Sequence, residues 1–298
     1  MTFSQIGRVS RALTAVRPLA WPSVEPVQPS RGLRGWLAPP RLAEPAVLTD
    51  PTERRGAGIE LLLVLAVTLG LSGVRSLLSL VDSLLAAGPL AAQTAVINAP
   101  VRRAELLDLA YQLTSIAQLL AWGGLGVYLL WRAGIRLPRI GLDRRSPGRD
   151  VALGAGLAGL IGIPGLGFYL ATRALGVNLT VVPSALDDTW WRIPVLLAAA
   201  VGNSWAEEVL VVGYLVTRLR QLGYSENSSL LASAVLRGSY HLYQGFGGFA
   251  GNLVMGLVFG RVWQRTSRLW ALVVAHILLD VVAFVGYALL GGRIGGLP

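Results

Sequence analysis

The chain has 298 residues and a formal net charge of +10. Hydrophobic residues make up 53% and charged ones 14%, against about 25% charged in an ordinary soluble domain, which is too few to cover a particle of this size in water. All 26 basic residues are arginine. A basic soluble protein would suggest nucleic acid. A basic chain of mean hydropathy +0.58 instead suggests a membrane protein with its arginines in loops, so the expected partner is the lipid bilayer and not nucleic acid. The lack of cysteine excludes disulfides, thiolate metal sites and a cysteine nucleophile.

Taken in chain order, residues 1–58 hold eight Arg, eight Pro and no long apolar run. Such a segment buries too little apolar surface to offset its chain entropy, and it reads as a disordered cytoplasmic tail. Residues 59–298 read as a transmembrane helical domain. Spans of about 20 apolar residues are expected at 59–82, 109–131, 151–173, 193–217, 229–245, 248–264 and 269–291. Pro164, among several glycines, predicts a kinked third span with close neighbours. The stretch 84–101 is apolar enough for a re-entrant or interfacial piece. The expected fold is therefore all-α, a polytopic transmembrane bundle of about seven spans (six to eight).

The arginines set the orientation. With the N-terminus inside, the inner segments hold the tail arginines, Arg132 to Arg149, Arg218, Arg220, Arg261, Arg265 and Arg268. The outer segments hold only Arg102, Arg103, Arg173, Arg192 and Arg293. That asymmetry obeys the positive-inside rule.

An ionisable group at membrane depth costs several kcal/mol, about 2.5–3.5 on insertion scales, so it marks a partner or a function. Glu207 and Glu208 fall in the fourth expected span, Arg237 and His241 in the fifth, Asn252 in the sixth, and His276 and Asp280 in the seventh. The pairs Arg237/His241 and His276/Asp280 are spaced to share a helix face. Both histidines of the chain thus lie in spans. One polar site drawn from four helices is the reading that unites them. A buried carboxylate of this kind can act as general base toward water. His241, His276, Asp280 and Glu207 are equally a candidate zinc set that would lower the pKa of a bound water. Both routes are open on the sequence. The glycine pairs 247/251 and 256/260 read as helix packing, and Tyr240 and Tyr243 as interface anchors or bundle packing.

These residues resemble the motifs of the CAAX-protease and bacteriocin-processing family of intramembrane proteases, also called the Abi family. Its Glu-Glu-x-x-x-Arg, Phe-x-x-x-His and His-x-x-x-Asn/Asp motifs correspond to Glu207-Glu208, His241 and His276-x-x-x-Asp280, within a protease-like core of about residues 150–285. The resemblance implies an intramembrane endopeptidase acting on a peptide or protein. Glu207 would activate water together with His241, Glu208 would tune it, and His276 and Asp280 would stabilise the oxyanion or bind a metal. Two positions depart from the pattern. The motif Arg is Val212 here, and the motif Phe is Arg237. We expect a swap, in which the cation that serves the carboxylates comes from the facing helix. Asp280 matters too: an ionised Asp cannot donate to an oxyanion as an Asn can, so Asp at this position suits a metal ligand or an orienter of His276.

The function read from the sequence is peptide-bond hydrolysis within or near the bilayer, at a site open to the cytoplasm or laterally to lipid. Arg237 and Asn252 would support the site. The alternatives are a catalytically drifted scaffold or immunity-type protein and, behind it, a proton-coupled transporter. The family's eukaryotic members cut prenylated C-terminal tails, but nothing in this sequence indicates such a substrate. The all-Arg, Ala- and Gly-rich composition suggests a high-GC bacterium and its cell membrane.

Overall fold

The computed structural model describes residues 46–290, so most of the expected tail lies outside the described residues. Helix α1 (Pro51–Val67) starts inside the stretch expected to be tail. The cause is local: Asp50 accepts the Glu53 amide at 2.8 Å, and Pro51 supplies a preset first-turn φ. The first expected span is not one straight helix. It breaks at Thr68 and continues as α2 (Leu69–Leu85), bent by 49°. The Thr68 hydroxyl donates to the Val64 carbonyl at 2.6 Å, a back-bond that competes with the helical ladder and bends it.

The 84–101 segment, expected as a re-entrant or interfacial piece, holds irregular chain and one short strand. Its core is a strand, β1 (Thr94–Asn98), which pairs in parallel with β2 (Thr180–Ser184), with Thr94 opposite Thr180 and Asn98 opposite Ser184. Both strands are rich in β-branched residues, which fit a pleated surface better than a helix. Between them run α3 (Glu105–Arg132) and α4 (Pro147–Ala174). Helix α4 continues as one element through Pro164.

The core is built around one long helical element. It starts as α5 (Arg192–Glu207), widens into a π-helical segment at Glu208–Tyr214, and resumes as α6 (Leu215–Gln221). Val209 to Val212 and Tyr214 are fully buried there. Helices α3 and α9 (Leu269–Leu290) flank it, and α4 packs against α9. Helix α7 (Glu226–Ser239) pairs with α8 (Phe246–Thr266). That pairing is close because α8 lacks side chains where the two meet. A Cβ on Gly256 would lie 2.9 Å from the Ala234 Cα, and one on Gly260 would collide with the Leu230 side chain. The glycine pair 256/260 is packing, as read from the sequence.

Four helices are long and apolar enough to cross a membrane: α3, α4, the α5–α6 element and α9. The bent pair α1–α2 makes a fifth if it counts as one span. The fold is a nearly all-α membrane helix bundle with four or five candidate spans among the described residues, fewer than the expected seven. The fifth expected span fails because α7 is only 14 residues and stops at Ser239. The sixth, α8, is long enough but is diluted by glycine and two arginines. Each buries one face in the bundle and leaves apolar residues exposed on the other, Leu231 and Val235 on α7 and Phe246 and Val254 on α8.

Candidate active site

Chain geometry brings three elements to Glu207 and Glu208. The carboxylates sit where α5 passes into the π segment, about midway along its 30 residues. Arg237 comes from the last turn of α7, and its stem fits beside Gly256, whose absent Cβ would lie 3.3 Å from the Arg237 Cδ. His276 comes from α9, a third of the way along.

Arg237 spans both carboxylates. Its Nη1 donates to Glu207 Oε2 at 3.2 Å, and its Nη2 donates to Glu208 Oε1 at 2.6 Å. The His276 Nδ1 meets the same Glu208 Oε1 at 2.8 Å. An ionised carboxylate only accepts, so that nitrogen carries the proton. On the far side of its ring, His276 Nε2 lies 3.6 Å from Asp280 Oδ1. The Asp280 Oδ2 in turn accepts the Asn203 amide at 3.0 Å. Val212, at the position of the motif Arg, is wholly buried in the apolar core. The cation beside the carboxylates is Arg237, from the facing helix.

The two adjacent carboxylates are not equivalent. The Glu208 side chain has no exposure, is pinned by Arg237 and His276, and has an Oε2 without a partner among the described residues. Glu207 keeps 5% exposure. Both of its hydrogen bonds, from Arg237 and from the Tyr240 hydroxyl at 2.7 Å, fall on Oε2 and leave Oε1 for another donor.

His241 does not share a helix face with Arg237, as its spacing suggested. Helix α7 ends at Ser239, and His241 leads into a tight turn at Leu242–Gln244. Its Nδ1 donates to the Arg237 carbonyl at 3.0 Å, and its ring lies 4.8 Å from that of Tyr240. Two other parts of the chain fix this turn. Ser76 of α2 donates to the Tyr240 carbonyl at 2.9 Å. The Leu179 amide, leading into β2, donates to the Gln244 carbonyl at 2.9 Å. Gly245 closes the turn at φ +106°, where a Cβ would also run into Asn178.

Asn252 is not part of this network. Its amide donates to the Gly248 carbonyl one turn back on its own helix. Tyr240, read from the sequence as an anchor or bundle packing, is a direct partner of Glu207. Asn203 was missed as a site residue, although its place four residues before Glu207 puts it on the same helix face. Among the described residues, no three His, Asp or Glu side chains form a cradle for a metal ion. Of the candidate zinc donors, His276 and Asp280 are engaged with other protein groups and Glu207 with one of its two oxygens, and no step below runs through a metal.

The site is a buried, mixed-charge cluster in which, among the described residues, Glu207 Oε1 and His241 Nε2 have no hydrogen-bond partner and, unlike the sealed Glu208 Oε2, belong to partly exposed side chains. Residues 189–282, which contain α5 to α8 and most of α9, match the family described as type II CAAX prenyl endopeptidase Rce1-like. No curated protein and no solved structure matches the chain. The matched stretch holds every member of the network from Asn203 to Asp280, and it agrees with the resemblance carried by the motifs. Over residues 189–282 this membrane helix bundle is similar to the Rce1-like CAAX endopeptidase family.

Proposed function

We propose that the chain is an intramembrane endopeptidase that hydrolyses a peptide bond of a peptide or protein substrate with water activated by Glu207 and His241. The observation that carries this reading is the inequality of the two carboxylates: Glu208 is sealed behind Arg237 and His276, while Glu207 presents a free Oε1. In the proposed step, a water oxygen bonds to the scissile carbonyl carbon and Glu207 takes one of its protons. The carbonyl electron pair moves onto oxygen. As the C–N bond breaks, Glu207 delivers that proton to the leaving nitrogen. With Nδ1–H spent on the Arg237 carbonyl, neutral His241 offers Nε2 as an acceptor to the same water. Glu208 and His276 act by holding Arg237 and each other.

We read the membrane as a bacterial cell membrane with the N-terminus cytoplasmic. Cleavage of a peptide library by the purified full chain in lipid tests the activity. Wild type should cleave, and the Glu207→Gln and His241→Ala variants should fall by at least about 100-fold, the scale of a general-base contribution. A chelator should leave the rate unchanged. Equal rates for wild type and Glu207→Gln would refute the peptidase reading, and loss of activity with chelator would require a metal in the mechanism.

A further inference from the structure

A site that hydrolyses a peptide bond must offer a hydrogen-bond donor to the oxygen that becomes negative in the tetrahedral intermediate. Resting on the peptidase reading, the donors around Glu207 can be accounted for one by one. Arg237 keeps N–H groups to spare, Nε among them, but its side chain has no exposure and offers none of them to a substrate. The single hydroxyl hydrogen of Tyr240 is given to Glu207. The His276 Nδ1 hydrogen is given to Glu208, and its Nε2 faces Asp280. The Nδ1 hydrogen of His241 is given to a backbone carbonyl. Asp280, ionised, has none to give. Two partly buried donors remain: the Tyr243 hydroxyl, which accepts from Gln244, and Asn203, whose amide nitrogen has two hydrogens, of which one goes to Asp280.

We infer that Asn203 is a catalytic residue, the donor to the oxyanion, with Asp280 as the positioning residue that aims its amide. The placement suits the task. Asn203 stands one helical turn before Glu207 on the same face, with Cβ atoms about 5–6 Å apart. A carbonyl carbon over Glu207 Oε1 can therefore point its oxygen toward Asn203. The Asp280 carboxylate fixes the rotamer, because it accepts only from the NH2 side of the amide. The pair thus supplies from α5 the amide that Asp280 itself lacks on α9.

The test uses the full chain in lipid with a peptide that the wild type cleaves. We expect Asn203→Ala to lower kcat about 100-fold, the typical loss of one oxyanion donor, with KM changed less than about twofold. Asp280→Asn places an amide on the neighbouring helix. In the Asn203→Ala background it should recover at least about tenfold of the lost kcat, which a merely structural role for Asn203 would not allow. Near-wild-type kcat for Asn203→Ala overturns the inference, and so does a loss that Asp280→Asn leaves unrepaired. Glu207→Gln is the reference. If wild type is no faster than that variant, the peptidase reading and this inference fall together, whereas a slow Glu207→Gln beside an unimpaired Asn203→Ala rejects the inference alone.

Discussion

At the scale of single residues, the site depends on one guanidinium between two carboxylates. Removing a partner from a buried ion pair costs about 3–5 kcal/mol, because the charges left behind are uncompensated. Arg237→Leu should therefore lower the thermal midpoint sharply or abolish folding in detergent, as read by a melting curve. A melting midpoint equal to wild type would show that the bridge contributes nothing. Tyr240→Phe is the milder probe. It keeps the ring and loses one hydrogen bond to a charged acceptor, worth about 1.5–3 kcal/mol. If that bond orients Glu207, kcat should fall roughly tenfold or more while KM holds. Rarity made much of this cluster legible in the sequence, since two histidines and a Glu pair stood out in apolar runs. Tyr240 and Asn203 did not stand out. Tyrosine and asparagine carry no charge penalty in a helix, and only the fold shows which of them face a carboxylate.

At the scale of elements, α3, α4, the α5–α6 element and α9 were readable because length and hydropathy report them directly. The parts that escaped are those set by tertiary contact. β1 and β2 are far apart in sequence, and each alone is only a short apolar run, which periodicity cannot tell from a helix fragment. The end of α7 at Ser239 rests on Ser76 and the Leu179 amide, both distant in the chain. The π segment after Glu207, where the Leu215 amide reaches back five residues to the Leu210 carbonyl, has no sequence mark at all. Packing can be tested by contrasting two glycines. Gly256 faces the Ala234 backbone and the Arg237 stem, so Gly256→Leu must push α7 and α8 apart, costing about 1–3 kcal/mol or more. Gly159 meets nothing within 4 Å, and Gly159→Ala should leave the melting midpoint unchanged or raise it. Activity should follow the same order, lost in the first variant and kept in the second.

For the whole molecule, the contacts gather the arginine-rich loops at one end. Arg268 pairs with Asp143 and Asp150, and the Ile140 carbonyl accepts from Trp263 and Leu269, so the 133–150 loop lies against the α8–α9 turn. Gln264 donates to the Glu226 carbonyl, and Arg54 to that of Leu222, which brings the α6–α7 turn and the start of α1 to the same end. The β ribbon and the His241 turn are joined at the other, through Leu179 and Gln244. Exposure in the site rises in the same direction. It is nil at Glu208 and Arg237, slight at Glu207 and His276, and 15% at Asp280. Asn203 and Asp280 each lie one turn, about 6 Å, nearer the ribbon end than Glu207 and His276. If arginine marks the cytoplasmic side, the rise in exposure points to the opposite face as the way in, where the sequence suggested the cytoplasm or a lateral opening to lipid. Single cysteines in this cysteine-free chain can decide. In intact cells, an impermeant thiol reagent should label a cysteine at Asp187 and spare one at Arg145, until the membrane is opened. In the same cells, a peptide substrate added outside should be cleaved without permeabilisation. Labelling at Arg145 would reverse the orientation, and cleavage that required permeabilisation would place the mouth of the site on the arginine side.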